Sequence, residues 1–384
     1  MRRSALRAHA FERILLIKPS SVGDVIHTVP VLAKLRTRYP AARIDWVLRP
    51  AIAELIVHHP DVSHVVRLGR RDGGSAAGDL IRLLWTIRRT RYDLVIDLQG
   101  LLLSAALGVA SGAPVRIGFD RPRTARGGAA ARLPRSAYRR GWTGAREGSW
   151  LAYTHRIAVP TLDVHAVDRY LWLRPLLGLD DGPADFRIPL PAAADAHLNA
   201  LVRQHGLANA PLAVLAPATT WETKQWQASG FAEVARHLTH TGHAVVLAGS
   251  AEEQARCRAV AENCPGVTDL SGQTTLTELA ALLRRAAICV TNDSGAMHLA
   301  VALGTPVVSV FGPTDPLWIG PYGNDQQVVR ANLPCAPCYL RTLRRCTHSH
   351  ACMTEVTPAM VVERVEKTLG APRIGLLRRV DGGL

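Results

Sequence analysis

The sequence predicts a two-domain α/β protein in which each domain is a parallel sheet covered by helices on both faces. The chain has 384 residues, which is enough for two domains, and 48% of them are hydrophobic. Short apolar runs alternate with amphipathic stretches through the first half, and the same alternation resumes in the second half. Strands that alternate with helices are typical of βαβ units, whose strands lie parallel.

The first alternation begins at the first apolar run of the chain. We expect strands at 14–17, 44–47, 65–68, 94–97 and 115–118, and helices at 25–39, 51–58, 80–89 and 104–110. The stretch from about 160 to 208 is rich in Leu, Pro, Asp and Ala. We therefore place an N-terminal domain at 1–175 and an interdomain connection at 176–208.

The second alternation supports a C-terminal domain at 209–356, followed by a helix and tail at 357–384. We expect strands at 212–216, 244–248, 267–270, 286–290 and 307–311, and helices at 229–240, 252–262, 276–285 and 358–369. A further helix should open at Ser294 and Gly295, because Met297, Leu299 and Ala300 would then share its buried side.

The charge of the chain favours an anionic partner. The formal net charge is +15 at pH 7, which suits nucleic acid, an anionic membrane surface or an anionic substrate. No helix-turn-helix, RNP or aromatic-interleaved basic motif supports nucleic acid. No apolar run approaches a membrane span, and the N-terminus lacks a signal-peptide pattern, so we expect a cytoplasmic protein.

An arginine-rich segment lies between 121 and 146. It contains eight arginines and no Asp or Glu. One interpretation is a solvated loop; the other is a loop that meets a phosphorylated or acidic acceptor. Under the second interpretation Arg121, Arg123 and Arg126 are candidate acceptor-binding residues.

Four of the seven cysteines are clustered. Cys335, Cys338, Cys346 and Cys352 have the spacing C-x2-C-x7-C-x5-C. This spacing could hold a structural zinc or could place reduced thiols in a compact loop. We expect plain thiols and no metal.

The segment from Thr291 to Ala300 has the pattern of an anion site. An apolar run ends in small polar residues, and a helix then begins. Because the N-terminus of a helix has unpaired N–H groups and a positive dipole end, it suits a phosphate. The segment therefore indicates a nucleotide or phosphate ligand at the carboxyl edge of a parallel sheet.

Three other turns carry candidate residues. Asp24 opens the first helix, where its carboxylate could act as a base or could simply complement the helix dipole. Thr219, Thr220 and Lys224 follow a strand and could bind a diphosphate, although Lys224 could also be an ordinary surface lysine. Glu253, which we prefer to Glu252, could accept hydrogen bonds from ribose hydroxyls.

Absent motifs narrow the choice of chemistry. The chain has no G-x-G-x-x-G and no G-x-x-x-x-G-K-[ST], which disfavours a Rossmann dehydrogenase and a P-loop NTPase. It also has no D-x-D pair to hold a divalent ion. We therefore expect no cofactor and assign the positive charge of the site to Lys224 and backbone N–H groups.

Together these motifs resemble glycosyltransferase family 9, the ADP-heptose:lipopolysaccharide heptosyltransferases and their relatives. The resemblance rests on S-S-x-G-D-V-x-H-T, T-T-x-x-K-x-W, G-S-x-x-E and T-N-D-S-G-x-M-H-x-A-x-A-L-G-x-P followed by F-G-P-T-D-P, and it covers about residues 13–370. It implies a GT-B fold, with two Rossmann-like domains facing a cleft. The N-terminal domain would take a Kdo–lipid A type acceptor, and the C-terminal domain an ADP-sugar donor. It also implies inverting transfer and work at the anionic cytoplasmic face of the inner membrane.

The resemblance also implies a role for each candidate residue. Asp24 would be the general base, with Ser21 and Gly23 beside the acceptor. The donor would be bound by Thr219, Thr220, Lys224, Glu253, Asp293, Ser294, Gly295 and His298. The first motif resembles the type I enzymes, which add the first heptose, whereas the cysteines and T-N-D-S-G resemble type II. A relative that uses another sugar or acceptor, and a basic nucleic-acid-binding protein, are the alternatives.

Overall fold

The described part of the chain forms two compact units, each built on one parallel sheet. The computed structural model describes residues 3–69, 76–122 and 141–371. These residues divide between Pro189 and Leu190. The two expected parallel sheets are therefore confirmed.

The first unit contains six described strands, and the apolar runs of the four inner ones are buried on both faces. The six strands are β1 (Arg13–Ile17), β2 (Arg43–Leu48), β3 (His64–Arg67), β4 (Leu94–Asp97), β5 (Val115–Phe119) and β6 (His155–Ile157). Their order is β3-β2-β1-β4-β5-β6, and every neighbouring pair is parallel. Such two-sided burial is typical of a parallel sheet between helical layers.

Of the described helices of this unit, four connect successive strands from β1 to β5, one precedes β1 and two follow β6. In chain order they are α1 (Arg3–Ala8), α2 (Val22–Arg38), α3 (Pro50–Ile56), α4 (Ala76–Thr90), α5 (Leu102–Ala110), α6 (Ala166–Leu171) and α7 (Arg174–Leu177). A short 3₁₀ turn, Ser149–Ala152, lies between β5 and β6. Helix α4 buries Leu83 and Ile87 in a core that includes Leu15, Ile17 and Val95.

The second unit repeats this architecture. Its strands are β7 (Leu212–Ala216), β8 (Ala244–Leu247), β9 (Thr268–Asp269), β10 (Ile288–Asn292), β11 (Val307–Phe311) and β12 (Val328–Arg330). Their order is β9-β8-β7-β10-β11-β12, again all parallel. Its helices are α8 (Ala192–Gln204), α9 (Ala228–His240), α10 (Gln254–Ala261), α11 (Leu276–Arg285), α12 (Gly295–Ala302), α13 (Pro316–Ile319), α14 (Ala351–Thr354) and α15 (Pro358–Gly370).

Both sheets have the strand order of the doubly wound nucleotide-binding fold. In each unit the first and fourth strands are adjacent and mark the point where the order reverses, β1 beside β4 and β7 beside β10. Ligands bind in such folds at the carboxyl ends of these strands. This topology places the segments after β1 and β4 together in the first unit, and those after β7 and β10 together in the second.

The expected elements overlap those of the structure, but several bounds differ; helices α2 and α4, for example, begin at Val22 and Ala76 and not at 25 and 80. The strand expected at 286–290 lies at Ile288–Asn292, because the side chains of Thr291 and Asn292 donate to the Ala216 and Pro217 carbonyls and so remain in the sheet. The helix expected at 252–262 starts at Gln254, after a 3₁₀ turn that begins at Ala251. Strands β6 and β12, which we did not expect, complete the sheet edges.

The boundary at Pro189 lies within 176–208, the segment assigned above to a connection. Much of that segment is helical, because α8 forms within it and packs against α11 of the second unit. Helix α15 packs against β10, β11 and α9. Among the helices that the structure describes, none is both long and apolar enough to cross a bilayer.

Candidate functional site

In the first unit, Asp24 is held by the turn that starts α2. Ser21 is the N-cap of the helix, and its backbone N–H and hydroxyl donate to Asp24 Oδ2 over 3.1 and 3.2 Å. The bond from the Ser21 amide is that of a capping box, in which the side chain at the third helical position satisfies a donor at the helix start. Asp24 therefore lies in the first turn of α2, and these two bonds hold its carboxylate just beyond the carboxyl end of β1.

The other oxygen of Asp24 has partners that sequence reasoning did not select. The Tyr170 hydroxyl donates to Asp24 Oδ1 over 2.7 Å, and Lys18 Nζ lies 3.3 Å from the same oxygen. Lys18 directly follows β1, and its position at the carboxyl end of a parallel strand could have identified it as a site residue. Tyr170 lies 146 residues away on α6, and no sequence signal links it to Asp24.

These contacts keep Asp24 ionised. Burial disfavours its charge, but Lys18, Tyr170 and the Ser21 amide together outweigh burial and lower the pKa of Asp24 to about 2. Burial and the Asp24 carboxylate raise the pKa of Tyr170 well above its ordinary value, so the phenol remains a donor. The Asp24 side chain is nevertheless 37% exposed, so a ligand can reach it.

The neighbouring candidates in this turn differ in accessibility. Ser21 is exposed and Gly23 is buried. His27, an alternative proton acceptor, is only 4% exposed and packs edge-to-face against His165 with ring centroids 5.0 Å apart. Among these groups, Asp24 is therefore the one that is both accessible and able to accept a proton as an anion at neutral pH.

In the second unit, three predicted donor-site residues converge. Lys224 Nζ lies 2.6 Å from Asp293 Oδ2, with the two side chains 11% and 4% exposed. Thr219 Oγ1 donates to the Asp293 carbonyl over 3.1 Å. Thr314 Oγ1 also donates to Asp293 Oδ2, over 2.6 Å. Thr314 belongs to the F-G-P-T-D-P segment, but sequence reasoning did not assign it to the site.

The loops that carry this group are tied to each other. The Trp226 amide donates to Asn292 Oδ1 over 3.1 Å, which joins the segment after β7 to the end of β10. Thr291 Oγ1 and Ser294 Oγ lie 2.9 Å apart. Ser294 is the N-cap of α12, and Gly295 is its first residue. The expected helix start at the carboxyl edge of the sheet is confirmed.

An aromatic ring shields one side of Lys224. Lys224 Nζ lies 4.3 Å from the centroid of the Trp221 ring, and the Arg341 guanidinium lies 4.8 Å from the same centroid. These cation–π contacts place a second positive group near Lys224. Arg341 was not selected from the sequence, because nothing in its local pattern points to the turn after β7.

The remaining donor-site candidates lie nearby along the sheet edge. Thr220 is exposed after β7, and His298 on α12 is 8% exposed. Glu253 follows β8, and its carboxylate accepts the Ser250 amide over 2.9 Å. In the described part of the chain, neither Thr220 nor Glu253 is hydrogen bonded to the Lys224–Asp293 group.

Only one of the three arginines proposed for the acceptor lies in the described residues. Arg121 is exposed, and its amide donates to Asp120 Oδ1 over 2.8 Å. Arg123 and Arg126 lie outside the described residues.

The cysteine-rich loop packs against the turn that carries Lys224. His350 Nε2 lies 2.7 Å from the Thr223 carbonyl, and the Leu343 amide donates to Glu222 over 2.8 Å. The four cysteines are free thiols, and burial raises the pKa of Cys352 to about 12, reinforced by the other three. Within the described residues, no group of three or more His, Cys, Asp or Glu is arranged to hold a metal.

The sequence was compared with protein families and with known proteins. The sequence model of glycosyltransferase family 9 (heptosyltransferase) matches residues 80–137 and 127–347. The chain is 33% identical to lipopolysaccharide heptosyltransferase 1 of Pseudomonas aeruginosa, over 94% of this chain and 99% of that protein. It is 27% identical to lipopolysaccharide heptosyltransferase 2 of Escherichia coli K12, over 93% and 98%.

A solved structure agrees with the fold. The Escherichia coli heptosyltransferase WaaC with ADP-2-deoxy-2-fluoro heptose superposes with a TM-score of 0.67 and 27% identity, covering 92% of this chain and 99% of that one. The two sheets described above are those of a GT-B type fold. The family model matches most of the chain, the relatives align over nearly its whole length, and the solved structure superposes on it. The chain therefore belongs to glycosyltransferase family 9, the heptosyltransferase family.

Proposed function

We propose that this protein transfers heptose from ADP-heptose to the inner core of lipopolysaccharide, with inversion at the anomeric carbon. The observation that carries the proposal is the Lys224–Asp293–Thr219 group at the switch point of the second sheet, in a chain that belongs to the heptosyltransferase family. The solved relative with a bound ADP-heptose analogue supports the choice of donor.

The second unit would bind the donor. The diphosphate would lie against Thr219, Thr220, Lys224 and the N-terminus of α12, which supplies unpaired N–H groups and a positive dipole end. Negative charge grows on the leaving phosphate as the glycosidic bond breaks, so a fixed ammonium lowers the barrier most in the transition state. Glu253 would take the ribose, and Asp293, Ser294, Gly295 and His298 the sugar–diphosphate.

Lys224 would gain a second anionic partner when the donor binds. In the structure its ammonium is paired with Asp293 at 2.6 Å. A donor phosphate would share the ammonium with Asp293, whose carboxylate would keep its hydrogen bond from Thr314. We infer that this positive charge and the backbone amides carry the leaving-group role without a metal ion or other cofactor, and chelation of the working enzyme tests that inference.

The first unit would supply the base. An acceptor hydroxyl must lose its proton as it attacks, and Asp24 is an exposed carboxylate that is ionised at neutral pH. A pKa near 2 makes it a weak base towards a resting hydroxyl. Proton transfer would therefore be late, after the hydroxyl has become acidic through bonding to the anomeric carbon. Ser21 and Gly23 would lie beside that hydroxyl.

The acceptor would be Kdo–lipid A, which carries no heptose. The higher identity to a heptosyltransferase 1 than to a heptosyltransferase 2 favours addition of the first heptose. The phosphates of this acceptor would meet Arg121, Arg123 and Arg126. Because the acceptor is a membrane lipid, the protein would work as a peripheral protein at the anionic cytoplasmic face of the inner membrane, not on nucleic acid.

A donor and acceptor matrix tests the proposal. ADP-heptose, ADP-glucose, UDP-sugars and GDP-sugars are each offered with Kdo–lipid A and with heptosylated Kdo–lipid A, and the products are identified by mass spectrometry. We expect transfer from ADP-heptose to Kdo–lipid A, and the anomeric configuration of that product by NMR should be inverted. Preference for another donor, or for the heptosylated acceptor, would replace the proposed substrates.

A further inference from the structure

An uncovered apolar surface lies in the first unit, and none of the candidate residues described above belongs to it. The described residues include eleven large hydrophobic side chains that are exposed, and seven of them lie on α4, α5 and the 149–152 turn. We call this surface the α4–α5 face. Its members are Leu80, Ile81 and Trp85 on α4, Leu102, Leu103 and Val109 on α5, and Leu151 in the turn.

The two helices expose these residues at helical spacing. On α4, Leu83 and Ile87 point into the core, while Ile81 and Trp85, four residues apart, remain 67% and 58% exposed. Helix α5 contains no charged residue, and it exposes apolar side chains on its outer side. A helix at a protein surface normally presents polar groups to water. An apolar outer side therefore points to a partner that covers it.

The elements that carry the exposed residues are neighbours in the first unit. Helix α4 packs against α5, and α5 packs against the 149–152 turn. Arg88 at the end of α4 donates to the Ser111 carbonyl at the end of α5 over 3.5 Å, which links the two helices. Leu151 in the turn is 75% exposed. Three successive neighbouring elements thus each carry exposed apolar side chains.

Basic groups border this apolar surface. Arg82, Arg89 and Arg91 are exposed along α4 and just beyond it. The Arg89 guanidinium lies 4.3 Å from the centroid of the Trp85 ring. An open groove of about 620 Å³ beside Trp85 is lined by Arg13, Arg43, Trp85, Thr86, Arg89 and Thr90.

Acidic neighbours offset only part of this charge. Asp45 pairs with Arg43 at 2.9 Å, and Asp93 accepts the Arg13 amide over 3.0 Å. Glu147 accepts the Leu102 amide over 3.0 Å at the start of α5. Asp79 lies in the first turn of α4. The arginines along α4 that border Ile81 and Trp85 remain exposed to solvent.

We propose that the α4–α5 face docks this protein on an anionic phospholipid bilayer, with its apolar side chains at the boundary between headgroups and acyl chains. Exposed apolar residues bordered by arginines are the combination that binds such a surface, because the two attractions add. Two copies of this face would bring arginines against arginines, so charge favours a bilayer over a second copy. The inference rests on the proposed function only in that the acceptor there is a membrane lipid.

The test measures vesicle binding separately from chemistry. The full-length protein is sedimented with phosphatidylcholine vesicles that contain or lack phosphatidylglycerol, with no sugar donor present. The apolar variant combines Ile81→Gln, Trp85→Gln, Leu102→Gln and Leu103→Gln, since glutamine is a good helix former. A basic variant combines Arg82→Gln and Arg89→Gln. The matched control combines Val57→Gln and Met360→Gln, which are also exposed apolar residues but lie outside the face.

We expect the unaltered protein to bind the anionic vesicles, and each face variant to bind at least about tenfold more weakly at low salt, while the control binds normally. Hydrogen exchange of 80–109 should slow when vesicles are added. Equal binding by the unaltered protein and both face variants would overturn the proposal. So would failure of the unaltered protein to bind, or a dimer that the apolar variant dissociates. If the apolar variant does not fold, vesicle binding by the basic variant alone tests the proposal.

Transfer to a deacylated, water-soluble acceptor separates this proposal from the proposed function. Face variants that lose vesicle binding but keep this transfer show that docking alone was changed. A protein that binds vesicles through the face and transfers heptose to no acceptor would leave docking intact and refute the proposed activity instead.

Discussion

Replacement of Lys224 should reduce both stability and turnover, for two separable reasons. Its ammonium is paired with Asp293 at 2.6 Å, and Asp293 is only 4% exposed. Lys224→Ala would leave a buried carboxylate with the Thr314 hydroxyl as its remaining close partner. Breaking a buried pair from one side costs about 3–5 kcal/mol, and we expect about 3 kcal/mol because Lys224 is itself 11% exposed.

The effect on turnover has a different origin. In the proposed mechanism the leaving phosphate would lose a positive charge that acts most in the transition state, and such a loss typically costs about 10² to 10³ in rate. A double variant, Lys224→Met with Asp293→Asn, removes the unpaired charge while keeping side-chain volume. It should regain most of the free energy of unfolding and none of the turnover.

Urea denaturation measures the stability, and release of ADP from ADP-heptose in the presence of acceptor measures the turnover. Lys34→Ala is the matched control, because Lys34 forms a lysine–aspartate pair with Asp180 at 2.7 Å in the first unit. Asp180 is half exposed, so this control should lose less stability and keep its turnover. Full turnover by Lys224→Ala would remove Lys224 from the mechanism. A double variant as unstable as the single one would refute the buried-charge account.

Four further predictions concern the base, its pH response, the arginines and the cysteines. Asp24→Asn should fold, bind ADP normally in calorimetry and lose about 10² to 10⁴ in kcat, whereas normal turnover would transfer the base role elsewhere. Asp24 has a pKa lowered from 3.8 to about 2, so the stability it contributes is present above pH 3.8 and is lost as the pH falls towards 2; acid titration of Asp24→Asn should lack that loss. Replacing Arg121, Arg123 and Arg126 by Ser should raise the KM for acceptor and leave the Kd for ADP unchanged, and unchanged acceptor kinetics would indicate a solvated loop. Purified protein should contain no stoichiometric zinc by elemental analysis and should keep its Tm in chelator; one equivalent of metal together with a lowered Tm would show a structural site in 335–352.

The sequence predicts those elements whose own residues determine them. Strand β7 and helix α11 have the expected bounds, because the strand is a continuous buried run and Thr275 with Glu278 forms a capping box at the helix start. Strands β6 and β12 were missed. Each has three residues, is partly exposed and lies at a sheet edge, so pairing with the neighbouring strand defines it and local pattern does not.

The same distinction applies to the candidate site. Convergence of Thr219, Lys224 and Asp293 could be predicted, because β7 and β10 are adjacent parallel strands and their carboxyl ends meet at one edge. The hydrogen bond from Tyr170 to Asp24 could not be predicted, because α6 reaches the start of α2 through packing of distant segments. The contact of His350 with the turn that carries Lys224 could not be predicted either, because it also joins segments that are distant in the chain.

The environments of the two candidate carboxylates favour different roles. Asp293 is 4% exposed and accepts from Lys224 and Thr314 through one oxygen, so an acceptor hydroxyl has little access to it and its charge is paired with Lys224. Asp24 has its oxygens divided between the helix cap and the Lys18–Tyr170 pair, yet 37% of its side chain remains exposed. A proton can therefore arrive at Asp24 while the partners that orient it stay in place. Asp293 is suited to hold Lys224 in position for a departing phosphate, and Asp24 is suited to receive the proton.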